Sequence, residues 1–263
     1  MGLLMAALFS GIAFGPFVGG MLADSIGYKA TFLVTTGILL LGGMAILFFV
    51  KEKFERPVTR QEIPLTSILN LATSKKMLPL LLIMAAIFAG PQMISPIIAL
   101  SIGDMAPPEI TATLSGQALG LIGLLSVISS VIIGRLGTRF PLPRIMLICC
   151  LVTAMLYLPP VWASTVPQLI IFIGLTGLSM GGLQTSTNTM IGLSAPRFQQ
   201  GTAYGLATSA NSLGTGLGSF VGGSLAPLIG LRPVFAVAAG LFLVISVLIT
   251  RLLVPRPVDE SDN

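Results

Sequence analysis

The sequence predicts an all-α integral membrane protein that folds as a bundle of transmembrane helices. Three observations predict this class: 54% of the 263 residues are hydrophobic, only 9% are charged, and the mean hydropathy is +0.98. A soluble domain carries about 25% Asp, Glu, Lys and Arg, so this chain has too few charges to cover a water-exposed surface. The composition therefore excludes a soluble enzyme, a disordered chain and a nucleic-acid binder.

Eight stretches of the chain are long and apolar enough to span a membrane. A bilayer core about 30 Å thick needs about 20 apolar residues per helix. Cutting the chain at its charges and at its Pro and Gly clusters predicts spans at residues 3–23, 31–50, 77–100, 114–133, 145–161, 169–193, 202–228 and 233–253. Residues 51–76 are expected to be a polar cytoplasmic tether, and residues 255–263 a disordered cytoplasmic tail.

The basic residues predict the orientation of these spans. If the first span runs outward, twelve of the fourteen Lys and Arg residues fall on the cytoplasmic side, and only Lys29 and Arg232 fall outside. Cytoplasmic loops of membrane proteins carry an excess of Lys and Arg. Both termini are therefore expected in the cytoplasm, with the protein in the plasma membrane, which is the inner membrane of a bacterium.

An internal repeat relates the first hairpin of the chain to the last. Residues 11–34 and 214–237 are identical at twelve of 24 positions, at an offset of 203 residues. Both copies end an outward span and lead into a returning one, so the repeat is parallel, as in transporter halves related by an axis along the membrane normal. The offset predicts twelve helices in the intact protein. Residues 1–50 would end the N-terminal half, and residues 77–254 would form the six-helix C-terminal half.

The repeat contains a glycine-rich run with the pattern G-x-x-x-G-P-x-x-G-G. Its members are Gly11, Gly15, Pro16, Gly19 and Gly20. Glycines 11, 15 and 19 share one helix face that lets another backbone approach closely, and a proline removes a helical hydrogen bond and can bend the span. Such a helix suits a pivot or seal for alternating access. The alternative is a packing face with no transport role.

This run resembles the antiporter motif in the fifth helix of drug:proton antiporters of the major facilitator superfamily. The continuation LADSIGYKATF at 22–32 and the run FFVKEKF at 48–54 resemble the multidrug-efflux branch of that family. The resemblance covers the whole chain, as helices five to twelve. It implies a secondary transporter that exports small lipophilic drugs in exchange for protons by alternating access, and that works in the lipid bilayer as a monomer when all twelve helices are present.

A second run, GRLGTRFP at 134–141, resembles the second-half copy of the family's cytoplasmic loop motif G-x-L-x-D-R-x-G. Gly134, Arg135 and Arg139 fit the motif, but Thr138 stands in place of the Asp and Pro141 in place of the last Gly. Two interpretations remain open for the arginines. They either pair with helix ends or are ordinary cytoplasmic basic residues.

Polar residues at helical spacing on three spans are candidates for a substrate cavity. Polar side chains at membrane depth face a cavity or a neighbouring helix. The cavity candidates are Phe88, Gln92, Gln184, Asn188, Tyr204 and Asn211. The alternative for the polar members is interhelical hydrogen bonding, and for the two aromatic residues it is simple packing.

The positions of the titratable residues predict that the eight spans of this chain contain no proton-coupling site. A proton-driven carrier needs a titratable group inside the membrane, and away from their edges the eight spans contain no Asp, Glu, Lys, Arg or His. Asp24, Asp104 and Glu109 fall at outer ends or in outer loops, so the proton site is expected in the four preceding helices.

Other functions of this chain remain open. One is a nutrient or metabolite carrier of the same fold, and another is a truncated membrane protein without transport. No enzyme, cofactor or metal site is predicted, because the chain has no His and its two cysteines lie together in an apolar run.

Overall fold

The computed structural model describes residues 2–49, 65–196 and 199–253, and these residues form helices joined by short turns. No strand occurs in these three ranges. The helices are α1 Gly2–Phe49, α2 Leu65–Ala72, α3 Met77–Gly103, α4 Pro108–Leu136, α5 Leu142–Leu156, a short 3₁₀ helix Pro159–Trp162, α6 Val166–Ser194, α7 Gln200–Ile229 and α8 Leu231–Leu252. The all-α class is confirmed.

Seven segments of the described chain are long and apolar enough to cross a membrane. Helices α3, α4, α6, α7 and α8, together with α5 and its 3₁₀ extension, coincide with the last six predicted spans. Large apolar side chains cover the outside of the bundle; Leu47, for example, is 81% exposed and Leu228 78% exposed. Such a surface matches the hydrocarbon of a bilayer, and the chain is a multi-pass membrane protein.

Helix α1 differs from the prediction, because a loop was expected between the first two spans. Its 48 residues are helical except at Gly27, where φ is 81° and ψ is 158°. A straight helix of that length would measure about 72 Å, more than twice the bilayer core. Gly20 before the break and Thr35 after it line the same cavity, so the chain folds back at Gly27. One glycine therefore replaces the expected loop.

The same turn occurs a second time, at the position that the repeat predicts. Gly230 lies between α7 and α8 with φ 88° and ψ 166°, and it corresponds to Gly27 at the offset of 203 residues. This backbone region is accessible essentially to glycine alone. Both copies of the repeat therefore reverse the chain through a single glycine.

The bundle packs around α3, α4, α5, α6 and α8. Helix α4 lies against α1 on one side and α6 on the other, while α3 lies against α7 and α8. The core includes fully buried Ile97, Met146 and Phe235, and the rings of Tyr157 and Phe242 are 5.6 Å apart between centroids. This packing holds α4 in position as the surface on which α1 rests.

The expected tether at 51–76 is partly helical. Residues Leu65–Ala72 form α2, which packs against α3 and α7. Residues 73–76 form the turn between α2 and α3, and residues 51–64 lie outside the described residues. The predicted tail at 255–263 also lies outside them.

The single-glycine turn makes a stability prediction. Gly230→Ala is expected to lower stability by about 1–3 kcal/mol, because alanine is strained in this backbone region. Gly240→Ala is the control, since Gly240 is inside α8 and an added Cβ would meet nothing within 4 Å. The midpoint of thermal unfolding of the detergent-solubilised protein should fall for the first variant only. Equal midpoints would contradict the requirement for glycine at the turn.

Candidate functional site

The glycine-rich run of α1 packs against α4. A Cβ on Gly20 would overlap the carbonyl oxygen of Ala112 and approach Gly116. A Cβ on Gly116 would in turn overlap the carbonyl oxygen of Pro16. Backbone therefore lies against backbone here, a contact that only residues without side chains permit.

The close contact continues along α4 towards the other end of the helix. Gly120 and Gly123 of α4 lie against Ala13, which is buried. The glycines on the α4 side of this interface were not singled out in the sequence. Their spacing of four and three residues after Gly116 was the available signal, because it places all three on one helix face.

The other three motif glycines lie differently. A Cβ on Gly11, Gly15 or Gly19 would meet nothing within 4 Å among the described atoms. The close approach expected on their face is therefore made by Gly20 instead. Pro16 is half-buried at the α4 interface, and the helix continues through it.

The corresponding glycines of α7 do pack closely. Gly214, Gly218 and Gly222 stand at the offset of 203 from glycines 11, 15 and 19. A Cβ on each would overlap a backbone carbonyl oxygen of α3, belonging in turn to Ala85, Ala89 and Met93. In the second copy of the repeat, this face is a helix–helix contact.

A polar contact closes one end of the α1–α4 interface. The backbone N–H of Thr113 donates to Asp24 Oδ2 with an N···O distance of 2.6 Å, and that of Ala112 donates to Oδ1 at 3.3 Å. The Thr113 hydroxyl donates to the Gly20 carbonyl oxygen at 3.4 Å. Asp24, set aside in the sequence as a span-edge residue, is thus the carboxylate that joins the two helices.

A cavity of about 380 Å³ lies beside this contact. Its walls come from both arms of α1, from α3 and from α4, and it includes Gly20, Tyr28, Ala99 and Ser115. The lining is mostly apolar, with the hydroxyls of Thr31, Thr35 and Ser115 among it. The cavity separates the two arms of α1 at the end where Gly27 turns the chain.

The six predicted cavity residues are not brought into one enclosed site. Gln92, Gln184 and Asn211 are half-buried, Asn188 and Tyr204 are exposed, and Phe88 packs against both apolar clusters of the core. Five of the cavities that described residues border, of about 150 to 510 Å³, contain none of these six side chains in their walls.

Two glycines of α6 have a packing role. Gly177 lies against the carbonyl of Ile122 and Gly181 against that of Ser126, both on α4. The Ser126 hydroxyl donates to the Gly177 carbonyl oxygen at 3.1 Å. Helix α4 is therefore held by close backbone contacts on two sides, towards α6 and towards α1.

The predicted cytoplasmic loop motif lies at the opposite end of α4 from Asp24. Gly134 and Arg135 are in its last turn, and Arg139 follows in the connection to α5; all three are exposed. Thr138, at the position of the motif's Asp, donates its hydroxyl to the Arg135 carbonyl oxygen at 2.7 Å. The threonine thus satisfies an end carbonyl of α4, as a C-terminal cap does.

These features define a multi-pass membrane protein in which one helical hairpin occurs twice and glycines bring neighbouring helices into close contact. The chain belongs to the Major Facilitator Superfamily, whose family model matches residues 1–126 and 80–263. The family resemblance carried by the glycine-rich run is confirmed.

The chain is similar to three curated relatives of this family. It is 31% identical over 245 residues to the uncharacterized MFS-type transporter YuxJ of Bacillus subtilis, an alignment covering 92% of this chain and 62% of YuxJ. It is 29% identical over 250 residues to the multi-drug resistance efflux pump PmrA homolog of Lactococcus lactis, covering 94% and 62%. It is 28% identical over 246 residues to the multidrug resistance protein MdtG of Escherichia coli, covering 92% and 60%. The chain spans about 60% of the length of these relatives.

Adjacent glycines of the motif provide a matched test of the α1–α4 contact. Gly20→Ala is expected to cost about 1–3 kcal/mol, because the added methyl overlaps the α4 backbone. Gly19→Ala adds the same methyl where nothing lies within 4 Å. Thermal unfolding of the purified variants should show a lower midpoint for Gly20→Ala alone. Equal losses in both variants would contradict the observed interface.

Proposed function

We propose that the protein is a secondary transporter that exports small lipophilic drugs in exchange for protons by alternating access. The observation that carries the proposal is the α1–α4 interface, where the glycine-rich run of α1 lies directly against the backbone of α4. Two of the similar relatives bear multidrug resistance names. The complete transporter would have twelve helices, act as a monomer and lie in the bacterial inner membrane.

The proposed division places the interface between two halves. Residues 1–50 would end the first half, 51–76 would form the tether, and 77–254 would form the second half. Because α1 packs on α4 and belongs to the other half, rocking of the halves must change this contact. The open face of glycines 11, 15 and 19 is then the place for a helix of the first half, equivalent to α3 against α7.

The placement of charges supports an orientation with both termini in the cytoplasm. Arg135 and Arg139 lie at the end of α4 that is opposite Asp24, and the glycine turns lie at the Asp24 end of the bundle. Lys29 and Arg232, the two basic residues expected outside, are repeat equivalents two residues after Gly27 and Gly230. The two basic residues that depart from the positive-inside pattern therefore stand at the same position in the two copies of the repeat.

The polar stripe of α7 supports a route for substrate. The buried face of α7 includes Ala203, Ala207, Ala210 and Gly214. Tyr204, Thr208, Asn211 and Thr215 each follow one of those residues by one position, so the polar stripe borders the packed face. The Thr215 hydroxyl donates to Asn211 Oδ1 at 3.2 Å within the helix. Asn211 and Thr215 are half-buried, and Tyr204 and Thr208 are exposed. A polar stripe of this kind suits the wall of a cavity that the other half completes.

The first functional prediction concerns transport. Cells that lack their main efflux pumps and express the complete gene are expected to extrude ethidium, and extrusion should stop when the proton gradient is collapsed. Fluorescence of the retained dye measures both effects. Unchanged retention of ethidium and of several other lipophilic cations would overturn drug export. Extrusion that persists without the proton gradient would overturn proton coupling.

The polar stripe makes a second prediction. Asn211→Leu is expected to change the efflux rate several-fold for some lipophilic cations and little for others, because cavity walls set substrate preference. Ser212→Leu, one position along and exposed on another face, is the matched control and should leave all rates unchanged. Rates are normalised to the amount of protein in the membrane. Identical rates for both variants would place Asn211 outside the substrate route.

A further inference from the structure

The contact of Asp24 with α4 is the polar end of an otherwise apolar interface. One helical turn before Asp24, Gly20 lies against the Ala112 carbonyl, so the backbones of α1 and α4 are already in contact there. This close approach brings the N–H groups of Ala112 and Thr113 within reach of the short aspartate side chain. Gly20 and Asp24 therefore both contact Ala112 of α4.

The Asp24 carboxylate is a suitable acceptor for the two N–H groups at this place in α4. Both donors lie in the second turn of α4, near the end where a helix carries partial positive charge. A carboxylate accepts from backbone N–H groups more strongly than a neutral side chain does, and its two oxygens accept both bonds here. A half-buried Asp24 thus adds a strong but local connection between the helices.

The repeat shows that this connection is separate from the shared helix packing. The residue equivalent to Asp24 in α7 is Pro227, which has no side-chain acceptor. The glycines of α7 pack on α3, which belongs to the same proposed half and need not separate from it. The acid is therefore particular to the copy that packs on α4, and a proline stands at its position in the other copy.

We propose that Asp24 is a positioning residue that latches the outer ends of the two halves together, and that its release from α4 accompanies opening towards the outside. This inference rests on the proposed transport function and orientation. The outer end is the place where such bonds are exchangeable, because water can replace the carboxylate as acceptor once α4 moves away. At membrane depth no water is present to replace a lost acceptor.

The test uses the complete gene product in intact cells. Ser115→Cys places a thiol in the wall of the cavity beside Asp24, and a membrane-impermeant maleimide is added from outside. Asp24→Ala is expected to raise the labelling rate about tenfold, equal to about 1.4 kcal/mol in the closed-to-open equilibrium. Asp24→Asn keeps one acceptor oxygen and should raise it less. Asp104→Ala is the matched control: this exposed acid ends α3 and lines another cavity, so labelling should not change.

Two further thiols separate a latch from general loosening and from a wrong orientation. Cys150 is fully buried, and a permeant maleimide reaches it only if the bundle loosens. Ser164→Cys, in the exposed turn before α6, reports the outer side and should react from outside in every variant.

The outcomes distinguish the latch from the transport function. If the Asp24→Ala substitution leaves the labelling rate of Ser115→Cys unchanged, the latch is overturned. The latch is also overturned if the labelling rate of Cys150 rises as much as that of Ser115→Cys. If Ser164→Cys reacts only from the cytoplasmic side, the proposed orientation is wrong and an outer latch is overturned with it. If labelling depends on Asp24 but the parent protein extrudes no ethidium, drug export is overturned and the latch is supported.

Discussion

The structure depends on close contact between helix backbones. In a bilayer the lipid tails are as apolar as the side chains, so helices gain little from burying Leu or Ile against each other. They gain instead from van der Waals contact at short range, and this requires residues without side chains at the points of contact. Helix α4 shows this on both sides, with glycines facing α1 and receiving glycines from α6. Each of these contacts fixes the position of the next helix.

The two copies of the repeat use one sequence pattern in two surroundings. In α7, glycines at intervals of four form a continuous contact with α3. In α1, the contact with α4 is made one residue further, by Gly20, and continues into a pair of charge-assisted hydrogen bonds at Asp24. The described contacts therefore use two different faces of one motif, and in the proposed mechanism only the face that contains Gly20 makes a movable contact.

The sequence predicts the spans of this fold well, because hydropathy and length determine where a helix can cross a membrane. The repeat also pairs Gly27 with Gly230 before any angle is known. The sequence does not predict which glycine of the motif contacts a neighbouring helix, because the five residues of the motif point in several directions around α1. Only the placement of α4 selects Gly20. Asp24 was assigned to a loop for a related reason: a charge at the end of an apolar run predicts a boundary, whereas α1 continues past it to Gly27.

The single-residue turns at Gly27 and Gly230 also limit how each hairpin can move. A loop of several residues would let the two helices slide or splay independently, but one glycine supplies only two backbone torsions between them. Each hairpin is therefore mechanically stiff, and force applied to its first helix is transmitted directly to its second. The same shortness means that neither turn offers an extended segment of chain for a protease or an antibody to bind.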